Sequence, residues 1–135
     1  MRGRSLAYAA GFAALGLLAW RRPFRVLVDG DSMRPTLAPG DQLLCMRSGR
    51  IDRGDLVVVR PPSHGFEMVK RVASLPGEIL TVEGEELRLG PDEYLVVGDN
   101  PGASTDGRSF GPVRRAQIAG VVRLRYLPSP RILRP

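Results

Sequence analysis

The stretch "FEMVKRVASLPGE" holds the only lysine of a chain whose other nineteen basic residues are arginine. The two differ where charge must be lost, because an amine can deprotonate near neutral pH and a guanidinium cannot. In "MVKRV" a strand period of two puts Met68, Lys70 and Val72 on one face and Val69 and Arg71 on the other. Lys70 is the odd polar residue on an apolar face, where burial lowers an amine's pKa. Such an amine can take the proton of a serine hydroxyl; the alternative is a strand lysine that snorkels to an acid. A hydroxyl that could meet it is Ser32 in "VDGDSMRPTLAPGD", a turn fixed by two prolines and nearby glycines. Taken alone, Ser32 is equally an ordinary turn serine. A third segment, "GDNPGASTDGRSFGPV", carries Ser104, Thr105, Asp99, Asp106 and Arg108. Ser104 could orient a buried amine, and Asp106 and Arg108, two apart, could pair and pin the loop. The alternative is a solvated connection, although loops of this length in compact domains are often functional.

Other chemistries lack their residues. His64, the one histidine, lies in "PPSHG", a poor place to hold the base of a Ser-His-Asp triad and better read as surface loop. One cysteine and one histidine do not make a metal site, so neither metal nor cofactor is expected. Cys45, in "QLLCMR", reads as a packed side chain, and no internal disulfide is possible. Arg53-Gly54-Asp55 matches an adhesion tripeptide, but Asp55 reads as the lead-in to a strand.

The elements that must position these groups follow from the pattern. The net charge is +6, yet residues 1–25 carry five arginines and no acid, which leaves residues 26–135 at +1. With no basic stripe, a nucleic-acid footprint is not supported. The arginines flank "SLAYAAGFAALGLLAW", residues 5–20, a helix of ~24 Å at ~1.5 Å per residue. Apolar on all faces, with no good cleavage site after it, this segment reads as an uncleaved membrane anchor spanning 1–25. Arginines on both flanks leave its orientation open. After Pro23, "FRVLV", "QLLCMR", "DLVVVR", "FEMVKRVASL", "EILTVE", "EYLVVGD" and "IAGVVRLRYL" alternate with turns rich in Gly, Pro, Asp and Asn, among them "VEGEE". This is the texture of an all-β domain over 26–135, with an irregular tail "LPSPRILRP".

"DSMRPTL", "GDQLL", "RGDLVVV", "VKRVASLPGE" and "GDNPGASTDGRSFGPV" stand in the order of the boxes of signal peptidase I, and the chain resembles that family over roughly residues 24–126. The resemblance implies a coiled antiparallel β core with one N-terminal membrane helix, outside the cytoplasm. It implies a serine endopeptidase that removes signal or leader peptides from precursor proteins after small residues. Ser32 matches the nucleophile, Lys70 the general base and Ser104 the hydroxyl that orients it. Asp99, Asp106 and Arg108 match the support of the last box. Val28, Met33, Leu37, Met68 and Val69 match the surroundings of the residue before the cut. Gly30 stands where some members have a serine that helps the oxyanion hole, which would leave the hole to the Ser32 N–H. Gly107 stands where a serine is usual, which is expected to touch loop detail only. With 33 residues between Lys70 and Ser104 there is no room for a large extra domain. The last box and the short length also resemble the protease that trims the N-terminal extension of nickel superoxide dismutase. A catalytically silent β domain that binds extended peptides at the membrane is the third possibility.

Overall fold

Val57, Val58 and Val59 have no polar partner in their period, and they form a strand buried on both faces. The computed structural model describes residues 8, 10–17, 22–47 and 49–135. Its strands are β1 (Pro23–Leu27), β2 (Gln42–Met46), β3 (Leu56–Val59), β4 (Met68–Ser74), β5 (Ile79–Val82), β6 (Glu85–Arg88), β7 (Glu93–Val97), β8 (Val113–Arg114), β9 (Ile118–Leu127) and β10 (Arg131–Ile132). They pair antiparallel in the order β1-β2-β9-β3-β4-β7-β8, with β10 added to β9. The fold is therefore mostly β, as expected. One turn of helix, α1 (Gly107–Phe110), sits in the last box.

Central β3 divides the core. Val58 packs with Val28, Met33, Leu37, Leu43, Cys45 and Val122 on one face. Val57 and Val59 pack with Val72, Val96, Val113, Ile118 and Val121 on the other. The sheet curls. β1 and β4 are separated by three strands, which in a flat sheet would hold them roughly 19 Å apart at ~4.8 Å per strand. Instead the end of β1 and the start of β4 line a single cleft. Register shifts in β2–β9, β3–β9 and β4–β7 are the irregularities that let a sheet bend this way.

Two strands lie where the pattern reads otherwise. "VEGEE" is a turn followed by a strand: β5 and β6 form a separate two-stranded ribbon closed by Glu83 and Gly84, both at positive φ. β6 has one apolar residue in four, so it gives no hydrophobic signal. The tail is not wholly irregular, because Arg131–Ile132 adds to β9 beside Arg125 and Leu124. Asp55 is buried in the turn before β3, where it accepts the Asp52 N–H at 2.8 Å, so the Arg-Gly-Asp triplet is a structural turn.

Of the anchor expected over residues 1–25, residues 1–7, 9 and 18–21 lie outside the described residues, and 23–25 belong to strand β1. Residues 10–17 are helical and exposed. Among the described residues no helix is long and apolar enough to cross a membrane.

Cys45 tests the packing directly. Burial, with Glu67 adding to it, pushes its thiol up to about 12. As the only cysteine it should stay unlabelled by a thiol reagent at pH 8 in the folded protein and react fully in denaturant, a difference that a mass shift reads. Rapid labelling of the native protein would contradict a closed core at β2.

Candidate active site

Strand β4 runs through the middle of the molecule, and its alternation turns Lys70 toward the buried side, opposite Val57 of β3. The residue is 2% exposed. Burial lowers the pKa of its amine, Asp106 partly offsets this, and Arg108 adds to the lowering. The Lys70 Nζ donates to Ser104 Oγ at 3.0 Å.

Ser104 follows a 3₁₀ turn (Pro101–Ala103) after β7 and donates in turn to Asp106 Oδ2 at 2.9 Å. Asp106 is 1% exposed and caps α1. It accepts the Gly98 N–H at 2.8 Å, the Arg108 N–H at 3.1 Å, and Arg108 Nε and Nη2 at 3.0 and 2.7 Å. Burial opposes its ionisation, but these donors and Ser104 outweigh it and hold the carboxyl well below the usual range. The direction of the chain follows. An ionised carboxylate only accepts, so the Ser104 proton points to Asp106 and the Ser104 lone pairs face Lys70. One N–H of the amine is thereby committed to Ser104.

Ser32 sits in the turn after β1. Gly30 there has φ +89°, in the region that favours glycine, and a Cβ would meet nothing within 4 Å. A serine at this position would have space but a strained backbone. The turn is tied down from outside. The Asn100 N–H donates to Ser32 O at 2.9 Å and its Nδ2 to Asp31 O at 3.1 Å. Thr36 Oγ1 donates to Asp99 Oδ2 at 2.6 Å. Asp99 in turn accepts Arg71 Nε and Nη2, each at 2.7 Å, and Arg71 Nη1 reaches Gly54 O at 2.7 Å. The neighbour of Lys70 on β4 thus holds the loop that carries Ser32.

Ser32 and Lys70 line one cleft of about 550 Å³, with Val28, Gly30, Met33, Met68 and Val69. No Ser32–Lys70 hydrogen bond is formed among the described residues. Leu37 is not on the lining; it is buried in the core against Val28 and Met33. Ser104 lies behind Lys70 and Asp99 behind the Ser32 turn, while Asp106 and Arg108 support the network. His64, read as surface loop, lines the cleft together with Phe66. Gly107 governs more than loop detail, because a Cβ there would lie 2.6 Å from Val96 O. Residues that the sequence reading did not single out are Thr36, Arg71, Gly98 and Asn100. All four fall inside the quoted boxes, but nothing in their types announces the contacts they make.

Comparison with known proteins gives these boxes their context. The sequence model of the family described as "Signal peptidase, peptidase S26" matches residues 2–90 and 83–127. The chain belongs to this family. It is similar to a mitochondrial ATP-independent inner membrane protease subunit 1a of Arabidopsis thaliana, 41% identical over 75% of this chain and 68% of that one. A mitochondrial inner membrane protease subunit 1 of Xenopus tropicalis is 35% identical over 76% of this chain and 68% of its own. Signal peptidase I V of Bacillus subtilis is 29% identical over 70% and 80%. The chain is a serine peptidase of the S26 type.

Gly98 is the tightest point of the site. A Cβ there would lie 2.6 Å from Ser104 Cβ and 2.7 Å from Ser32 O, and closer still to Ser104 Oγ. Gly98→Ala should therefore destabilise the protein by ~1–3 kcal/mol through overpacking. A thermal melt checks this; an unchanged melting temperature would mean that the two loops are not held together at Gly98.

Proposed function

We propose that the protein is a membrane-anchored endopeptidase that removes N-terminal signal or leader peptides after small residues, using Ser32 as nucleophile and Lys70 as general base. The single observation that carries this reading is the buried amine of Lys70, held by Ser104 and lining one cleft with Ser32. A neutral amine has two N–H groups and one lone pair. With one N–H given to Ser104, the lone pair is available to the Ser32 hydroxyl.

The substrate would lie extended in the cleft beside edge strand β1 and the start of β4, the usual way a peptide backbone is held. Ser32 Oγ attacks the scissile carbonyl carbon as its proton passes to Lys70 Nζ. The Ser32 N–H would donate to the developing oxyanion. Collapse breaks the C–N bond, and the Lys70 ammonium returns its proton to the leaving amine. Water then attacks the acyl-enzyme, with Lys70 again accepting a proton, and frees Ser32. Val28, Met33, Met68 and Val69 would line the pocket for the residue before the cut, where a small side chain is expected. Asp99, Asp106 and Arg108 act through others, by fixing the Ser32 turn and Ser104.

The anchor reading over residues 1–25 is supported by the exposed apolar side chains Phe12, Leu15 and Leu17 on the helical residues 10–17. The relatives named as inner membrane proteases and signal peptidases favour leader removal over the trimming of a single dedicated partner. A silent binding domain would need neither the buried amine nor its chain of donors.

Cleavage of a leader peptide by purified variants tests the reading. Ser32→Ala and Lys70→Arg should each lose activity by more than about 10³-fold while keeping a native circular dichroism spectrum. Near-normal turnover by either folded variant would remove that residue from the mechanism.

A pH dependence follows from the lowered amine pKa. The folded state disfavours the ammonium, so its cost is full below the folded pKa and fades as pH rises toward the free-lysine value. Activity should rise as pH passes the folded-state pKa, at the lower edge of that window, where the folded amine loses its proton. Lys70→Met should raise the melting temperature at neutral pH by about 2–6 °C. A lower melting temperature for Lys70→Met would argue that the amine is a stabilising ion-pair partner instead.

A further inference from the structure

Asn100 contacts the chain on both sides of the Ser32 side chain. Its backbone N–H donates to Ser32 O at 2.9 Å, and its Nδ2 donates to Asp31 O at 3.1 Å. A carbonyl oxygen only accepts, so the side-chain atom facing Asp31 O is the amide nitrogen. The first bond fixes the peptide group after Ser32, and the second fixes the peptide group before it. That earlier group carries the Ser32 N–H. A trans peptide is planar, with its N–H antiparallel to its C=O. Asp31 and Ser32 line the cleft and Asn100 does not. A carbonyl drawn toward Asn100 therefore turns the Ser32 N–H the other way, to the cleft side. This N–H donates to no backbone acceptor among the described residues. The Arg34 N–H also reaches Asp31 O, at 3.1 Å, so both lone pairs of that carbonyl are occupied. Each such bond also polarises the peptide group and strengthens its N–H as a donor. Gly30 brings no hydroxyl to the same turn, which leaves the Ser32 N–H without a side-chain helper there.

We propose that Asn100 is the positioning residue of the oxyanion hole, holding the Ser32 N–H on the line where the scissile oxygen becomes negative. This rests on the reading of Ser32 as nucleophile. Asn100 touches neither substrate nor reacting atoms; it acts through the Asp31–Ser32 peptide group. The bond it prepares strengthens as charge develops on the oxygen, so its effect belongs to the transition state. A loosened donor then lowers kcat and leaves KM alone. The role is separate from that of Ser104 and Asp106, which serve Lys70, and from that of Asp99, which holds the turn through Thr36.

Cleavage of a leader peptide with alanine before the cut, by full-length Asn100→Ala and Asn100→Asp proteins, tests this. Both variants keep the backbone N–H on Ser32 O. Asn100→Ala removes only the side-chain donor. Asn100→Asp is nearly isosteric and sets a carboxylate acceptor against Asp31 O, which drives that carbonyl away. Losing a well-placed oxyanion donor costs about 10²- to 10³-fold in kcat, and here the donor is loosened while Arg34 still holds the carbonyl. The kcat should fall about 5- to 30-fold in Asn100→Ala and further in Asn100→Asp, with KM within about twofold of wild type. Circular dichroism should stay native. The pH midpoint of activity should not move, because it belongs to Lys70. A folded Asn100→Asp that cuts at the wild-type rate overturns the proposal. So does a raised KM with kcat unchanged, or a shifted pH midpoint. Loss of the native spectrum in both variants would make Asn100 a tie for the fold and overturn it as well. Wild-type protein that cuts no leader peptide sinks the peptidase reading, and the positioning role with it.

Discussion

The carboxylate of Asp106 is buried and yet ionised, because five donors from Gly98, Ser104 and Arg108 converge on its two oxygens. That convergence sets the polarity of the site. It forces the Ser104 hydroxyl to donate inward, which leaves only its lone pairs for Lys70. It also puts a fixed negative charge near an amine whose burial favours the neutral form. Desolvation and Asp106 pull the Lys70 pKa in opposite directions, with desolvation the larger, and Arg108 keeps Asp106 from tipping the balance. A stronger or nearer acid would make Lys70 a permanent ammonium. Removing Asp106 would let Ser104 rotate and release the amine.

Three consecutive residues at the end of β7 turn this local chemistry into a property of the fold. The Gly98 N–H binds Asp106, and its missing side chain lets Ser104 and the Ser32 carbonyl approach. Asp99 joins Thr36, in the Ser32 turn, to Arg71, next to Lys70. Asn100 holds the Ser32 and Asp31 carbonyls. Segments about seventy residues apart in sequence are fixed on one short strand end. The curl of the sheet supplies the rest, because only a bent sheet brings β1 and β4 to the same cleft.

Much of this could be read from residue types. Strands β1, β2, β3, β4, β5, β7 and β9 each announce themselves by apolar runs between turn residues, and the alternation in "MVKRV" already puts Lys70 with Val72. What could not be read was of two kinds. Strands β6, β8 and β10 are too short or too polar for any periodicity; pairing with a neighbour makes them strands. The contacts of Thr36, Gly98 and Asn100 depend on chain crossings that no local pattern encodes. Leu37 and Gly107 are related cases. The first is apolar in a functional box and belongs to the core, and the second is a glycine whose reason is the carbonyl of Val96 on β7. His64 illustrates the opposite limit: a loop residue by sequence, it lines the cleft and makes aromatic contacts with Phe66 nearby and with Phe110, more than forty residues away.

The most direct test of a buried, neutral base uses the composition of the chain itself. Lys70 is the only lysine, so protein labelled with ¹³C-lysine gives a single side-chain Cε signal, free of overlap. Its chemical shift, followed with pH, reports the proton on Nζ and nothing else. The account predicts a midpoint well below the ~10.4 of a free lysine, moving back toward that value when the protein is unfolded in denaturant. It also predicts that leader-peptide cleavage rises over the same pH range. A native midpoint at or above the free-lysine value would contradict the account, since an amine that stays protonated cannot take the proton from Ser32.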